Sequence, residues 1–202
     1  MASRVEGEPP AAEIARVSRR IEARSAGAIM WALEFAQRDL RSLTAGDWYN
    51  LRLELAAWLS PFQESPRAEP LPSEDQVRRL QRRFAAIVAR LLRDGQVHLG
   101  RYDIVLSVNR SGATGIVLKS RSVDGPYVTR LMLVLFDHRS VIRQCTAPTP
   151  RGERGTRCGR WFLATRRSQS YCSRRCQSRA STQAFRHARR KLGARHRGRR
   201  QQ

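Results

Sequence analysis

The chain's four cysteines, Cys145, Cys158, Cys172 and Cys176, all lie in its last third, spaced C-x12-C-x13-C-x3-C, and the first 144 residues contain none. Four thiolates are a complete ligand set for one tetrahedral zinc ion, held at about 2.3 Å. Such an ion supplies folding energy to a module too small to stabilise itself. The spacing therefore predicts Zn2+ as cofactor, with all four cysteines as ligands. The N-terminal residues MASRVEGEPPAAEIARVSRR read as lacking the apolar core of an export signal, and without export clustered cysteines favour metal over disulfides.

Four cysteines also close the coordination sphere, whereas catalytic zinc keeps a position open for water. The His/Cys-plus-Glu pattern of zinc deaminases is missing. His98, His138, Asp103, Asp137 and Ser107 form no spacing that reads as a catalytic triad. Gly112 and Gly115 lack the Gly-Lys-Ser/Thr ending of a phosphate loop and fit a hairpin turn better. The chain is expected not to be an enzyme.

Charge points to a partner. From Arg139 to the C-terminus there are 19 Lys and Arg against one acid, Glu153, a net +18 of the chain's +22. Only Lys119 and Lys191 are lysines, so nearly every cation is an arginine. The planar guanidinium matches phosphate oxygens and guanine edges, although a GC-rich coding bias would also favour arginine over lysine. Such a bias leaves the concentration at one end unexplained, and that concentration is the footprint expected for a polyanion. No run reaches the roughly 18 apolar residues of a membrane span, and a cytoplasmic, nucleoid-associated protein is expected.

The elements that must position these residues are read from periodicity. Residues 1–10 are expected to be disordered, and 11–140 to form an α+β N-terminal domain. Ile14, Val17, Ile21, Ile29, Leu33 and Leu40 recur at helical spacing, followed by Leu51, Leu55 and Trp58. A proline-rich loop over 61–73 breaks this region. Ser73 then starts an amphipathic helix over 74–93, with Val77, Leu80, Phe84, Ile87, Val88, Leu91 and Leu92 on one stripe and a stop at Gly95. Residues 97–108 and 115–119 predict a β-hairpin. The apolar run from Pro126 to Phe136 fits either a helix, with proline in its first turn, or a buried strand. Val141 and Ile142 lead into Cys145 as a short strand. Trp31, Trp48, Tyr49 and Trp58 fit helix packing better than the lining of a pocket.

From Cys145 the chain reads CTAPTPRGERGTRCGRWFLATRRSQSYCSRRCQSRASTQAFRHARRK. The close final pair belongs where a turn enters a helix, since backbone N–H groups there offset thiolate charge. A helix from about Ser173 to Lys191 follows, ahead of Gly193. Trp161, Phe162, Leu163 and Tyr171 are expected to cover the metal, with Phe185 packing from the helix. Arg175, Arg179, Arg186 and Arg190 fall on roughly one helix face, with Arg174 and Arg189 beside it.

This stretch resembles the CGNR-type zinc finger, a treble-clef-like module at the C-terminus of bacterial regulators. The resemblance is carried by Cys145 and Cys158, Phe162-Leu163, the basic pair Arg166-Arg167, Tyr171-Cys172-Ser173, and Cys176 with Arg179. Gln177-Ser178 stands where that family has Gly-Asn, and the first cysteine pair is more widely spaced. The resemblance implies a treble-clef-like finger over 141–191 that ligates zinc and contacts DNA through the helix after Cys176, with 192–202 as a basic flexible tail. The expected function is a zinc-dependent DNA-binding protein, a bacterial transcriptional regulator. Arg166, Arg167, Arg174, Arg175, Arg179, Arg186, Arg189 and Arg190 are the candidate nucleic-acid contacts. RNA or ribosome binding is the alternative, with Trp161, Phe162 and Tyr171 stacking on unpaired bases if exposed. A homodimer through the helix at 74–93, or a protein partner of the N-terminal domain, is a further expectation.

Overall fold

The apolar periodicity of the first sixty residues is realised as three helices, α1 (Ala11–Glu22), α2 (Gly27–Ala36) and α3 (Ala45–Leu59). A capping box starts α3: Thr44 Oγ1 accepts from the Asp47 N–H, and the Asp47 carboxylate accepts from the Thr44 N–H at 3.0 Å. The Thr44 hydroxyl also donates to the Asp47 carboxylate at 2.6 Å, and this bond together with that from the Thr44 N–H holds the Asp47 carboxyl below its ordinary pKa. Helix α4 (Glu74–Asp94) begins and ends where its sequence directs. Ser73 Oγ accepts from the Gln76 N–H at 3.3 Å, and Gly95, at φ 72°, ends the helix in the left-handed conformation that glycine adopts without penalty.

Strands β1 (Asp103–Val108) and β2 (Thr114–Lys119) pair antiparallel, from Asp103 opposite Lys119 to Val108 opposite Thr114. The run after Pro126 forms a helix, α5 (Gly125–His138), which buries Tyr127, Val128, Leu131 and Leu135. Their spacing is that of one helical stripe, and this decides between the two conformations the sequence permits.

The computed structural model describes residues 11–23, 26–60, 71–96, 103–108, 114–119, 122–149 and 157–198. The expected N-terminal disorder, most of the proline-rich loop and residues 97–102 lie outside them. The chain divides into two units, Met1–Arg139 and Ser140–Gln202. The whole is α+β, mostly helical, with small antiparallel pairs and a cysteine cluster in the second unit.

Aromatic rings organise the core of the first unit. Trp58 is fully buried, stacks on Trp31 at 5.4 Å and meets Phe84 edge-on at 5.5 Å, while Phe35 contacts Trp31 and Phe84. The indole N–H of Trp58 donates to the Ala28 carbonyl at 3.0 Å and that of Trp31 to Glu54 at 3.2 Å, so both polar ends are satisfied. Arg130, 2% exposed, lies over the Trp58 ring at 4.8 Å and pairs with Glu22. Trp48 is covered by Arg78 at 4.6 Å. The tryptophans are thus packing groups.

The stripe on α4 is consumed in this core: Val77, Leu80, Phe84 and Val88 are fully buried and Ile87 nearly so. Leu91 and Leu92, the last residues of the stripe, are half-buried. Replacing Phe84 with alanine leaves a hole between Trp58 and Phe35. The expected loss is about 3–5 kcal/mol, measured as a lower urea midpoint by tryptophan fluorescence.

Candidate metal centre

The second unit is a hairpin followed by a helix. Strand β3 (Ile142–Gln144) pairs antiparallel with β4 (Trp161–Leu163), Ile142 opposite Leu163 and Gln144 opposite Trp161. Beyond the strands the pairing continues towards the loop: Cys145 N–H donates to the Arg160 carbonyl at 2.8 Å, Gly159 N–H to that of Cys145 at 3.1 Å, and Cys158 N–H to that of Ala147 at 2.7 Å. Cys145 and Cys158 are therefore brought face to face by a ladder, although twelve residues separate them. Residues 150–156, inside that interval, lie outside the described residues. Gly159 makes the turn back into β4 at φ 67°. A side-chain carbon there would meet nothing closer than 3.8 Å, so the constraint is conformational rather than spatial.

The other two cysteines come from the entry to helix α6 (Arg174–Gly198). Ser173 caps it: its hydroxyl accepts from the Cys176 N–H at 3.3 Å and its carbonyl from the Gln177 N–H at 3.1 Å. The approach to this cap is held by Gln169, which accepts from the Thr165 N–H at 2.8 Å and donates to the Tyr171 carbonyl at 3.2 Å. Thr146 N–H donates to the Ser170 carbonyl at 3.3 Å, and Cys172 N–H to Cys145 Sγ at 3.4 Å, tying the hairpin to the helix entry.

All four sulfurs converge within 4.8 Å of one another. The separations are 3.5 Å for Cys172–Cys176 and 3.9 Å for both Cys158–Cys172 and Cys158–Cys176. Ligands about 2.3 Å from a tetrahedral centre are separated by about 3.8 Å, so these cysteines can hold one metal ion. They are unpaired, with Cys145 and Cys176 buried and the other two half-buried.

Their electrostatics are uneven. Burial pushes the Cys172 thiol up to about 12, reinforced by the neighbouring sulfurs, and burial raises Cys158 as well. At Cys176 burial acts in the same direction but is outweighed by hydrogen bonds from Ser173, Cys172 and Arg179, which bring the thiol down to about 6. The shortest of these contacts is Arg179 Nη2 donating to Cys176 Sγ at 2.8 Å.

Arg179 thus occupies a different place from the other candidate arginines: half-buried, with its guanidinium turned to sulfur. Arg174, Arg175, Arg186 and Arg189 are exposed on α6, and Arg166 and Arg167 on the turn after β4. The side chain of Arg190 is outside the described residues. Phe162 and Tyr171 pack against the cysteines, as expected of a cover. Trp161 and Leu163 are half-buried beside them in β4. Phe185 is a correction: it is 68% exposed instead of packing over the metal, because it lies two turns beyond the last cysteine, where α6 has left the hairpin behind. The helix also runs past Lys191 and Gly193 to Gly198. One glycine costs a helix only about 1 kcal/mol relative to alanine, and the good helix formers Leu192 and Ala194 flank it.

Sequence reasoning missed the roles of Ser173, Gln169 and Gly159. A glycine directly after the second cysteine and a serine three residues before the fourth were the available signals. No protein-family model, curated protein or solved structure matches this chain, so the function is argued from the site itself.

Four thiolates on a divalent ion leave two negative charges, and Arg179 supplies a cation directly on one sulfur. Arg179→Ala is expected to weaken metal binding by about tenfold to a hundredfold, read by competition with a chromophoric chelator. Arg179→Lys should recover part of that loss by restoring the charge.

Proposed function

We propose that this protein is a zinc-dependent nucleic-acid-binding protein whose preferred partner is DNA and whose use is transcriptional regulation. The observation that carries the reading is the join between metal site and basic helix: Cys176 is both a member of the sulfur cluster and a residue of the first turn of α6. Metal binding would therefore fix where the exposed arginines point. Zinc is the favoured ion because it accepts four thiolates tetrahedrally, without redox chemistry.

Exposed Arg174, Arg175, Arg186 and Arg189 along the helix, with Arg166 and Arg167 on the preceding turn, give several guanidiniums for phosphates. An α-helix fits the major groove of duplex DNA, where guanine edges accept bidentate arginine bonds. The regulatory role and nucleoid association follow from the resemblance to CGNR-type fingers. The described helices include none long and apolar enough to cross a membrane. A closed four-sulfur set supports a structural role for the metal and a protein that is not an enzyme.

RNA binding through Trp161, Phe162 and Tyr171 is less well supported, because Phe162 and Tyr171 are occupied against the cysteines. Competition between duplex DNA and structured RNA of equal length discriminates the two partners.

The test is binding of the zinc-loaded protein to random-sequence duplex DNA as a function of salt. If about six phosphates are neutralised, affinity falls about a thousandfold or more between 50 and 200 mM salt. Cys172→Ser, or a chelator, should strongly weaken this binding while leaving the tryptophan core of the first unit folded. Weak salt dependence, or undiminished binding by the metal-free protein, would overturn the proposal.

A further inference from the structure

Residues 181–189 of α6 are exposed without exception, and Phe185 among them is 68% exposed. At about 100° per residue, Arg174, Ser178 and Arg189 share its face. Arg186 adjoins that face, and Cys176 is on the opposite side. Phe185 is the large apolar side chain exposed among the described residues of this helix. An aromatic ring left in water gains from any partner that removes it, and the arginines around it restrict what that partner is.

A second copy of α6 would bring arginine against arginine around the two rings. An anionic membrane surface would satisfy the charges but needs a broad apolar face, and one phenylalanine is not such a face. A nucleic acid offers both negative charge and flat apolar surfaces of matching size. Within an intact duplex those surfaces are covered by their neighbours, and the grooves expose only base edges. A ring standing on a helix reaches the face of a base without the unstacking cost of about a few kcal/mol where the stack is already interrupted.

We propose that Phe185 stacks on an unpaired base, so that α6 binds DNA containing a bulge or gap in preference to intact duplex. This rests on the nucleic-acid reading above and names the form of DNA it would favour. The arginines on the same face hold the flanking phosphates, and the ring supplies the part of the binding that salt does not screen.

The experiment measures anisotropy of three labelled probes with the zinc-loaded full chain at fixed salt. The probes are an intact duplex, the same duplex with one unpaired thymine, and vesicles containing anionic phospholipid. The bulged duplex should bind about tenfold tighter than the intact one, the range expected for one aromatic–base stack. Phe185→Ala should abolish that preference while changing intact-duplex affinity by less than about twofold and leaving the salt slope unaltered, and Phe185→Trp should keep it. Circular dichroism should find the variants as helical as the parent, because the side chain is exposed. Equal binding of both duplexes by the parent overturns this proposal and leaves the nucleic-acid reading standing. Failure to bind either duplex overturns both. A Phe185→Ala loss equal on both duplexes, or vesicles bound more tightly than the bulged duplex, also overturns it.

Discussion

Four thiols packed within 4.8 Å of one another cannot ionise together without a cation between them. Protonated, they fill a small volume with weak hydrogen-bonding groups; ionised, they repel. The second unit is built around this conflict. Among its described residues the fully or nearly buried ones are Ile142, Cys145, Ala147, Ala164 and Cys176, too little apolar area to hold a fold by burial alone. A metal ion held there would resolve the repulsion and supply the missing stability at the same point. The surroundings are arranged accordingly, with the Cys172 N–H of the helix entry on Cys145 Sγ and one guanidinium on Cys176.

The first unit uses the opposite strategy. Trp31, Phe35, Trp58 and Phe84 bury a large apolar area, and the charged side chains that enter the core do so against rings, as Arg130 does over Trp58. The same entropy cost of folding is met by apolar burial in the first unit, and would be met by ligand coordination in the second once a metal is bound. The division also follows the charge, since most of the net positive charge lies in the cysteine-bearing unit, where most of the described side chains of α6 are exposed.

What was readable beforehand was whatever depends on period and local chemistry. The stripe from Val77 to Val88 with Ser73 and Gly95 at its ends specified α4 nearly to the residue, and four cysteines with a C-x3-C ending specified a cluster. The run from Pro126 to Phe136 stayed open between helix and strand because short apolar runs carry no unique period; burial of one helical stripe settled it. The surroundings of Arg179 and Phe185 were hidden for a shared reason. Sequence spacing says which residues of a helix share a face, but not where along its length the neighbouring hairpin ends. Arg179 lies early enough to reach a sulfur, and Phe185 lies beyond that reach. The continuation of α6 through Gly193 was hidden by a breaker whose cost a well-formed helix absorbs.

Zinc-edge X-ray absorption on the purified full-length protein measures the central claim most directly. The account predicts one zinc per chain with four sulfur neighbours at about 2.3 Å and no nitrogen or oxygen ligand. Fewer than four sulfurs, a bound water, or protein that is folded over Ser140–Gln202 without metal would contradict it.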